Sequence, residues 1–285
     1  MTLLRPDRPS IPQAPVGTTV HRDLAYAAAR HPRQKLDLYL PSKNETAPLI
    51  IWIHGGAFRM GSKEGLEFDA PPLEYLDRDY AIASLNYRLS QHALFPAQIE
   101  DCKAAVRWLR AHAQQFNLDP DRFGAWGPSA GGYLAAMLGT TGAVTEFEVG
   151  EHLNVSSRVQ AVVDYFGPTD FLQMDAQRTP DGMIHDIPDS PESQLVGGPI
   201  QEHPDRVARA NPITYVASDA PPFLIVHGDG DPLVPHHQSV LLDAALRAAG
   251  VPVTFYTVPG AGHGGFTDPR VPELTHAFLQ QHLGR

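Results

Sequence analysis

The sequence predicts an α/β fold, a mostly parallel central sheet with helices on both faces. Two observations carry this. Short apolar, β-branched runs alternate along the chain with stretches whose apolar residues recur every three or four positions, the alternation that gives right-handed crossovers and parallel strands. At least one run, Leu49 to Ile53, is apolar without interruption, as in a strand covered on both faces.

In chain order, residues 1–20 are rich in Pro, Thr and Arg and read as an N-terminal arm. Lys35 to Leu40 alternates polar and apolar residues, with Leu36, Leu38 and Leu40 on one face, and reads as a half-exposed strand. Leu49 to Ile53 follows as the buried strand, and Ala81 to Tyr87 as another. From Pro96 the period changes: Ile99, Cys102, Val106, Leu109, Ala113 and Phe116 trace one face of an amphipathic helix. Asn117 to Pro120 ends it. Arg122 to Trp126 reads as a short strand, and Ala130 to Leu138 opens a helix. Val159 to Phe166, Phe223 to His227 and Val253 to Val258 are three more strands. Helices are expected from about Gln238 to Ala249 and from about Pro272 to Leu283. Residues 167–211 fit no regular element. Their Pro, Asp, Gln and Gly content suggests a loop, while Phe171, Leu172, Met174, Met183, Ile184, Leu195 and Ile200 argue against disorder. A loop of that length in a compact domain is usually functional, so a lid-like insertion with short helices is expected over the site. No repeat or linker divides the chain, and residues 1–285 read as a single domain.

Composition narrows the function classes. The hydrophobic share of 42% supplies a core, and the net charge of -10 comes with no basic run. Nucleic-acid binding needs clustered Lys and Arg, so it is not expected, nor is attraction to anionic membranes. The charge gives no steering toward acidic substrates, which favours a neutral ester or amide. No run of about 18 apolar residues suggests a membrane span. No signal peptide is visible, so the cytoplasm is the default compartment, with secretion open if a leader was trimmed. The one cysteine, Cys102, excludes an internal disulfide and a cysteine metal cluster, and reads as a small core residue. No metal or other cofactor is expected. Monomer and homodimer both remain open.

Three segments carry complementary chemistry. Gly127-Pro128-Ser129-Ala130-Gly131 lies between a strand and a helix, the context of a nucleophile elbow whose sharp turn projects a serine hydroxyl. Asp231 follows the strand that ends at His227-Gly228, and His263 sits in the glycine-rich loop after the next strand. Serine, aspartate and histidine in this order suit a nucleophile, a carboxylate that orients a base, and the base itself. Asp229 is the rival carboxylate, but Asp commonly satisfies turn amides. Of 14 histidines, His263 alone lies in a loop after the strand that follows Asp231. His236 and His237 read as exposed residues at a helix start, without the third ligand a metal site needs. Directly after the buried strand comes His54-Gly55-Gly56-Ala57-Phe58. The amides of Gly55, Gly56 and Ala57, with that of Ala130, are the candidate oxyanion donors. His54 reads as a brace for the loop. Phe58, Trp126, Met174, Met183 and Phe266 are candidates for the substrate pocket.

On these residues the sequence resembles the α/β-hydrolase superfamily, and within it the hormone-sensitive-lipase-like carboxylesterases and bacterial feruloyl/acetylxylan esterases. The closer likeness rests on residues 84–90 (SLNYRLS), 95–101 (FPAQIED), 127–132 (GPSAGG) and 227–235 (HGDGDPLVP), supported by Ser190-Pro191-Glu192-Ser193 and Leu195-Val196-Gly197-Gly198. Many hormone-sensitive-lipase-like members have a third glycine where this chain has Ala57. The pattern with three glycines goes with esters of tertiary alcohols, so that activity is not expected here. The resemblance implies a serine carboxylesterase acting on small or aromatic esters (feruloyl, acetyl or short-chain acyl) through an acyl-enzyme. The alternatives are an aryl-formylamine amidase of the kynurenine formamidase kind and a non-catalytic binding protein on the same fold.

Overall fold

The structure, a computed structural model, describes residues 14–28, 31–43, 45–65 and 70–284. Most of the expected N-terminal arm therefore lies outside the described residues. Eight strands form one sheet: β1 (Thr19–Ala25), β2 (Lys35–Leu40), β3 (Ala47–Ile53), β4 (Ala81–Leu85), β5 (Leu118–Pro128), β6 (Ala161–Tyr165), β7 (Phe223–Gly228) and β8 (Val253–Val258). Their order is β1-β2-β4-β3-β5-β6-β7-β8. The β1–β2 and β2–β4 pairs are antiparallel, and every later pairing is parallel. This is the α/β-hydrolase fold.

Alternation along the strands divides the core. Leu49, Ile51 and Ile53 face α1 (Ala97–Ala111) and α2 (Ala130–Thr140), whose Ile99, Cys102, Val106, Leu134 and Leu138 share their cluster. Ile50 and Trp52 face the opposite layer, where Val271, Phe278, Leu279 and Leu283 of the last helix pack with Leu73, Tyr75 and Leu76 of a short 3-10 helix. The uninterrupted apolar run is explained by this double coverage.

Several boundaries differ from expectation. β2 is buried on both faces, not half-exposed: Asp37 is fully buried and pairs with Lys63 Nζ at 2.8 Å. A buried ion pair thus replaces the solvent that polar alternation suggested. α1 stops at Ala111, yet Ala113 and Phe116 still reach the core, because the next six residues fold back in tight turns ending with Leu118 N–H on the Ala113 carbonyl. β5 is longer than expected and starts at Leu118. β1 and the 3-10 helix Leu73–Arg78 had no counterpart in the sequence reading.

Residues 167–211 carry short helical pieces: a 3-10 turn (Phe171–Gln173), α3 (Met174–Gln177), α4 (Pro191–Val196), a second 3-10 turn (Ile200–Glu202) and α5 (Pro204–Ala210). α4 begins on Ser190, whose hydroxyl accepts the Ser193 N–H at 3.1 Å, with Pro191 at the first helical position. Phe171, Met174, Leu195, Ile200 and Val207 are fully buried in the main core, which pins the segment to the body. Two longer helices complete the chain: α6 (His237–Ala248) and α7 (Arg270–Leu283). Because β3 and β5–β8 are parallel, the loops after β3, β5, β7 and β8 all emerge at one edge of the sheet. These are the loops that hold residues 54–58, 129, 231 and 263.

Candidate active site

Ser129 sits between β5 and α2 with φ 54° and ψ −123°, a conformation that costs a non-glycine residue about 1–3 kcal/mol. Its N–H donates to the Tyr165 carbonyl at 2.8 Å, and its carbonyl accepts from Tyr133 N–H at 3.0 Å. These bonds hold the strained turn. Its tightness shows at Gly131, where a Cβ would lie 1.9 Å from the Ile53 carbonyl oxygen and 2.9 Å from that of His54. The elbow therefore presses on the last residue of β3, the strand that launches the glycine loop.

His263 Nε2 lies 3.0 Å from Ser129 Oγ, and its Nδ1 lies 2.6 Å from Asp231 Oδ2. The three residues chosen from the sequence thus form one hydrogen-bonded row. Asp231 is buried, and its Oδ1 accepts from Leu233 N–H at 2.8 Å and Val234 N–H at 3.0 Å. Burial by itself would raise its pKa. Hydrogen bonds from His227 and His263 outweigh burial and hold the carboxyl well below the usual carboxylate range. The rival, Asp229, accepts the Gly260 N–H at 2.6 Å and so ties the turn beneath the His263 loop.

His227 was not singled out from the sequence. Its Nε2 approaches Asp231 Oδ2 at 3.1 Å and the Val234 carbonyl at 3.0 Å, and its Nδ1 lies 2.7 Å from Ser239 Oγ. A carbonyl can only accept, so Nε2 carries a proton, while Nδ1 meets the serine hydroxyl. Asp231 Oδ2 therefore sits between two histidines. The available signal was the four-residue spacing across the end of β7. His236 is half-buried rather than exposed: it stacks on Phe255 and its Nε2 meets Thr257 Oγ1 at 2.9 Å.

The loop after β3 takes positive φ at Gly56 (108°), Ala57 (53°) and Phe58 (61°). A Cβ on Gly56 would lie 2.4 Å from the Met60 carbonyl oxygen, so glycine is required there. His54 braces the loop from below. Its Nδ1 donates to the Gly55 carbonyl at 2.7 Å, and its Nε2 accepts from Arg33 Nη2 at 3.0 Å. Burial pushes its pKa down to about 3, which keeps the ring neutral and able to accept. Arg33 also donates to the carbonyls of Tyr87 and Gly61 and to Asn86 Oδ1, joining the loop to the strand β4 region.

Two cavities meet at Ser129. The larger, about 630 Å³, runs past Gly55, Gly56, Ala57 and Ser129 to Trp52, Tyr165, Phe166 and Phe266. The smaller, about 210 Å³, is bounded by Ala57, Phe58, Ala130, Met183, His185 and Glu192. The expected pocket residues divide accordingly. Phe266 borders the larger cavity, and Phe58 and Met183 border the smaller. Trp126 and Met174 border neither. Trp126 stands behind the wall, edge-on to Trp52 and Tyr165 at 5.4 and 5.5 Å between ring centres. Met174 is fully buried in the core, where its helix anchors the 167–211 segment. Trp52, Tyr165 and Phe166, at the ends of β3 and β6, take the places assigned to them.

The BD-FAE family model matches residues 36–246, most of the chain. The protein belongs to the BD-FAE family. A probable carboxylic ester hydrolase, LipM, of Mycobacterium tuberculosis is 32% identical over 252 residues, covering 84% of this chain and 56% of that one. Esterase LipC of the same organism is 32% identical, covering 82% and 57%. The chain thus spans little more than half the length of these curated relatives. Among solved structures, a truncated carbohydrate esterase from gut microbiota superposes with a TM-score of 0.84 at 35% identity, covering 94% of this chain and 97% of that one. A bifunctional GH43-CE protein of Bacteroides eggerthii gives 0.83 at 36% identity, covering 92% and 38%.

Proposed function

We propose that this BD-FAE protein is a serine carboxylesterase, with Ser129 as nucleophile, His263 as general base and Asp231 as its orienting carboxylate. The observation that carries the proposal is the unbroken row from Ser129 Oγ through both nitrogens of His263 to Asp231 Oδ2. In the first step Ser129 Oγ attacks the ester carbonyl carbon while its proton passes to His263 Nε2. The electron pair displaced from the carbonyl forms an oxyanion, which the amides of Gly56, Ala57 and Ala130 stabilise, with Gly55 shaping their approach. Each such donor is worth about 10²–10³ in rate. The oxyanion collapses, the carbon–alkoxide bond breaks, and His263 returns the proton to the leaving alcohol. Water then attacks the acyl-enzyme by the same route, releasing the acid and restoring Ser129.

The mildness of this chemistry suits the site. Charge separates only transiently, between oxyanion and imidazolium, and Asp231 is held ionised to meet the imidazolium. The names of the matched esterases support the same reading, as does the walled apolar cavity beside Ser129. The test is hydrolysis of p-nitrophenyl acetate by wild type and Ser129→Ala. The proposal expects turnover that falls by about 10⁶ in the variant. A folded wild type inert on esters but active on aryl-formylamines would replace it with the amidase reading.

A further inference from the structure

The loop that follows Asp231 is held at both ends of its peptide units. Its amides are taken up by the carboxylate: Leu233 N–H and Val234 N–H donate to Asp231 Oδ1 at 2.8 and 3.0 Å. Its carbonyls each meet a separate donor. The Pro232 carbonyl accepts from Met183 N–H at 2.7 Å, the Leu233 carbonyl from His185 Nε2 at 3.0 Å, and the Val234 carbonyl from His227 Nε2 at 3.0 Å. The peptide units Pro232–Leu233 and Leu233–Val234 therefore have Asp231 on their N–H side and residues of the 167–211 segment on their carbonyl side. A peptide unit is planar and rigid, so displacing either carbonyl displaces the N–H that holds Asp231.

His185 is itself firmly supported. It is 2% exposed, and Glu192, whose Oε2 lies 2.8 Å from His185 Nδ1, is 3% exposed. The His185 N–H donates to Asp175 Oδ1 at 2.6 Å. Glu192 lies in the first turn of α4 and Asp175 in that of α3, so two short helices fix the ring. Nε2 faces a carbonyl, which only accepts, and therefore carries a proton. Burial opposes a charge on the ring, but the hydrogen bond and charge of Glu192 outweigh it and hold the His185 pKa above its ordinary value. A charged donor bonds more strongly than a neutral one and polarises the peptide beyond it. That peptide is Leu233–Val234, whose N–H reaches Asp231 Oδ1.

We infer that His185, held by Glu192, is a positioning residue for the reaction: through the Leu233–Val234 peptide it fixes the loop that sets Asp231 against His263. The 167–211 segment then acts on the catalytic row as well as on the pocket wall. This rests on the ester-hydrolase reading above, because it needs Asp231 to be the orienting carboxylate. Both His185 and Glu192 also border the smaller cavity beside Ser129, so the experiment has to separate a support from a wall.

The experiment measures kcat and KM of the full chain on p-nitrophenyl acetate, with thermal unfolding to establish folding. His185→Leu/Glu192→Leu removes the pair together, and replacing a buried ion pair by apolar residues of similar volume often leaves stability unchanged or raised. Its kcat should fall at least about tenfold, a misplacement of about 1 Å costing up to about 100-fold. In an Asp231→Asn background the row is already broken. There the same two substitutions should cost less than about threefold, because residues that act as a unit are not additive. A pocket wall would cost the same factor in both backgrounds. Single substitutions separate reach from polarity and serve alone if the leucine pair does not fold. A glutamine amide extends to about the place of Nε2, an asparagine amide only to that of Nδ1. His185→Gln should therefore keep kcat within about threefold of wild type, while His185→Asn falls at least about tenfold. A folded leucine pair with wild-type kcat, equal losses in the two backgrounds, or equal kcat for His185→Gln and His185→Asn would overturn the inference and leave the esterase reading standing. A folded wild type inert on every ester would remove both.

Discussion

Replacing Asp231 by Asn tests the geometry of the row with the smallest possible change. Asp231 Oδ1 accepts two backbone N–H groups, from Leu233 and Val234. The new amide must keep its oxygen there, because the flipped orientation would set N–H against N–H twice. Its NH₂ then faces His263 Nδ1 and His227 Nε2. His227 cannot easily adapt, since its Nε2 proton is also directed at the Val234 carbonyl. His263 can, by moving its proton to Nε2. In that tautomer the ring offers Ser129 a donor in place of an acceptor, and cannot take the hydroxyl proton. A wrong tautomer in otherwise intact geometry lowers kcat by about 10⁴, which is about 5.4 kcal/mol of transition-state stabilisation at 1.36 kcal/mol per tenfold. The assay is kcat and KM on p-nitrophenyl acetate, with circular dichroism to establish folding. KM should change little, because Asp231 borders neither cavity. A folded variant retaining more than about a tenth of wild-type kcat would refute this account of the row.

Three further outcomes follow from the same structure. Gly131→Ala would put a Cβ 1.9 Å from the Ile53 carbonyl oxygen, so the elbow or β3 must shift; thermal unfolding should show a destabilisation of about 2 kcal/mol or more, and a Tm equal to wild type would contradict the packing. His54 is neutral in the fold, with its pKa lowered to about 3, while the unfolded chain takes up that proton near pH 6.5. Its contribution is complete above pH 6.5 and is lost as pH falls toward 3, at up to about 1.4 kcal/mol per pH unit. Urea unfolding from pH 7 to pH 5 should therefore be steeper in wild type than in His54→Gln by one proton; parallel pH dependences would show that His54 is not buried neutral. The depressed pKa of Asp231 adds stability above about pH 4 that is lost on further acidification, so Asp231→Asn should flatten unfolding free energy against pH only below that point. An identical acid limb in wild type and variant would sink this.

Legibility in the sequence followed how local each feature is. The strand–turn–helix around Ser129 is encoded by near neighbours: an apolar run before, small residues in the turn, and a helix after. The same holds for the loops carrying Asp231 and His263, since each follows its strand directly and parallel strands bring those ends to one edge. Features settled by distant partners were not legible. Asp37 looked like the solvent side of a strand because Lys63, its partner, comes 26 positions later, in a loop with no pattern of its own. Trp126, a candidate for the pocket wall, is set beside Trp52 by strand pairing, and Trp52 rather than Trp126 borders the cavity. Met174 belonged to an irregular segment, where periodicity cannot tell a core anchor from an exposed contact. His185 Nδ1 meets Glu192 Oε2 at 2.8 Å, seven positions on in that segment, and its Nε2 meets the carbonyl of Leu233, from a loop far along the chain.

The central claim is that Ser129 is the activated nucleophile of a working row. A fluorophosphonate probe reacts at a serine only when a base activates it, and mass spectrometry of the digested protein locates the adduct. The account predicts one covalent adduct on the peptide carrying Ser129, absent in Ser129→Ala and much slowed in His263→Ala. A folded wild type left unlabelled, or labelled at any other serine, would contradict it.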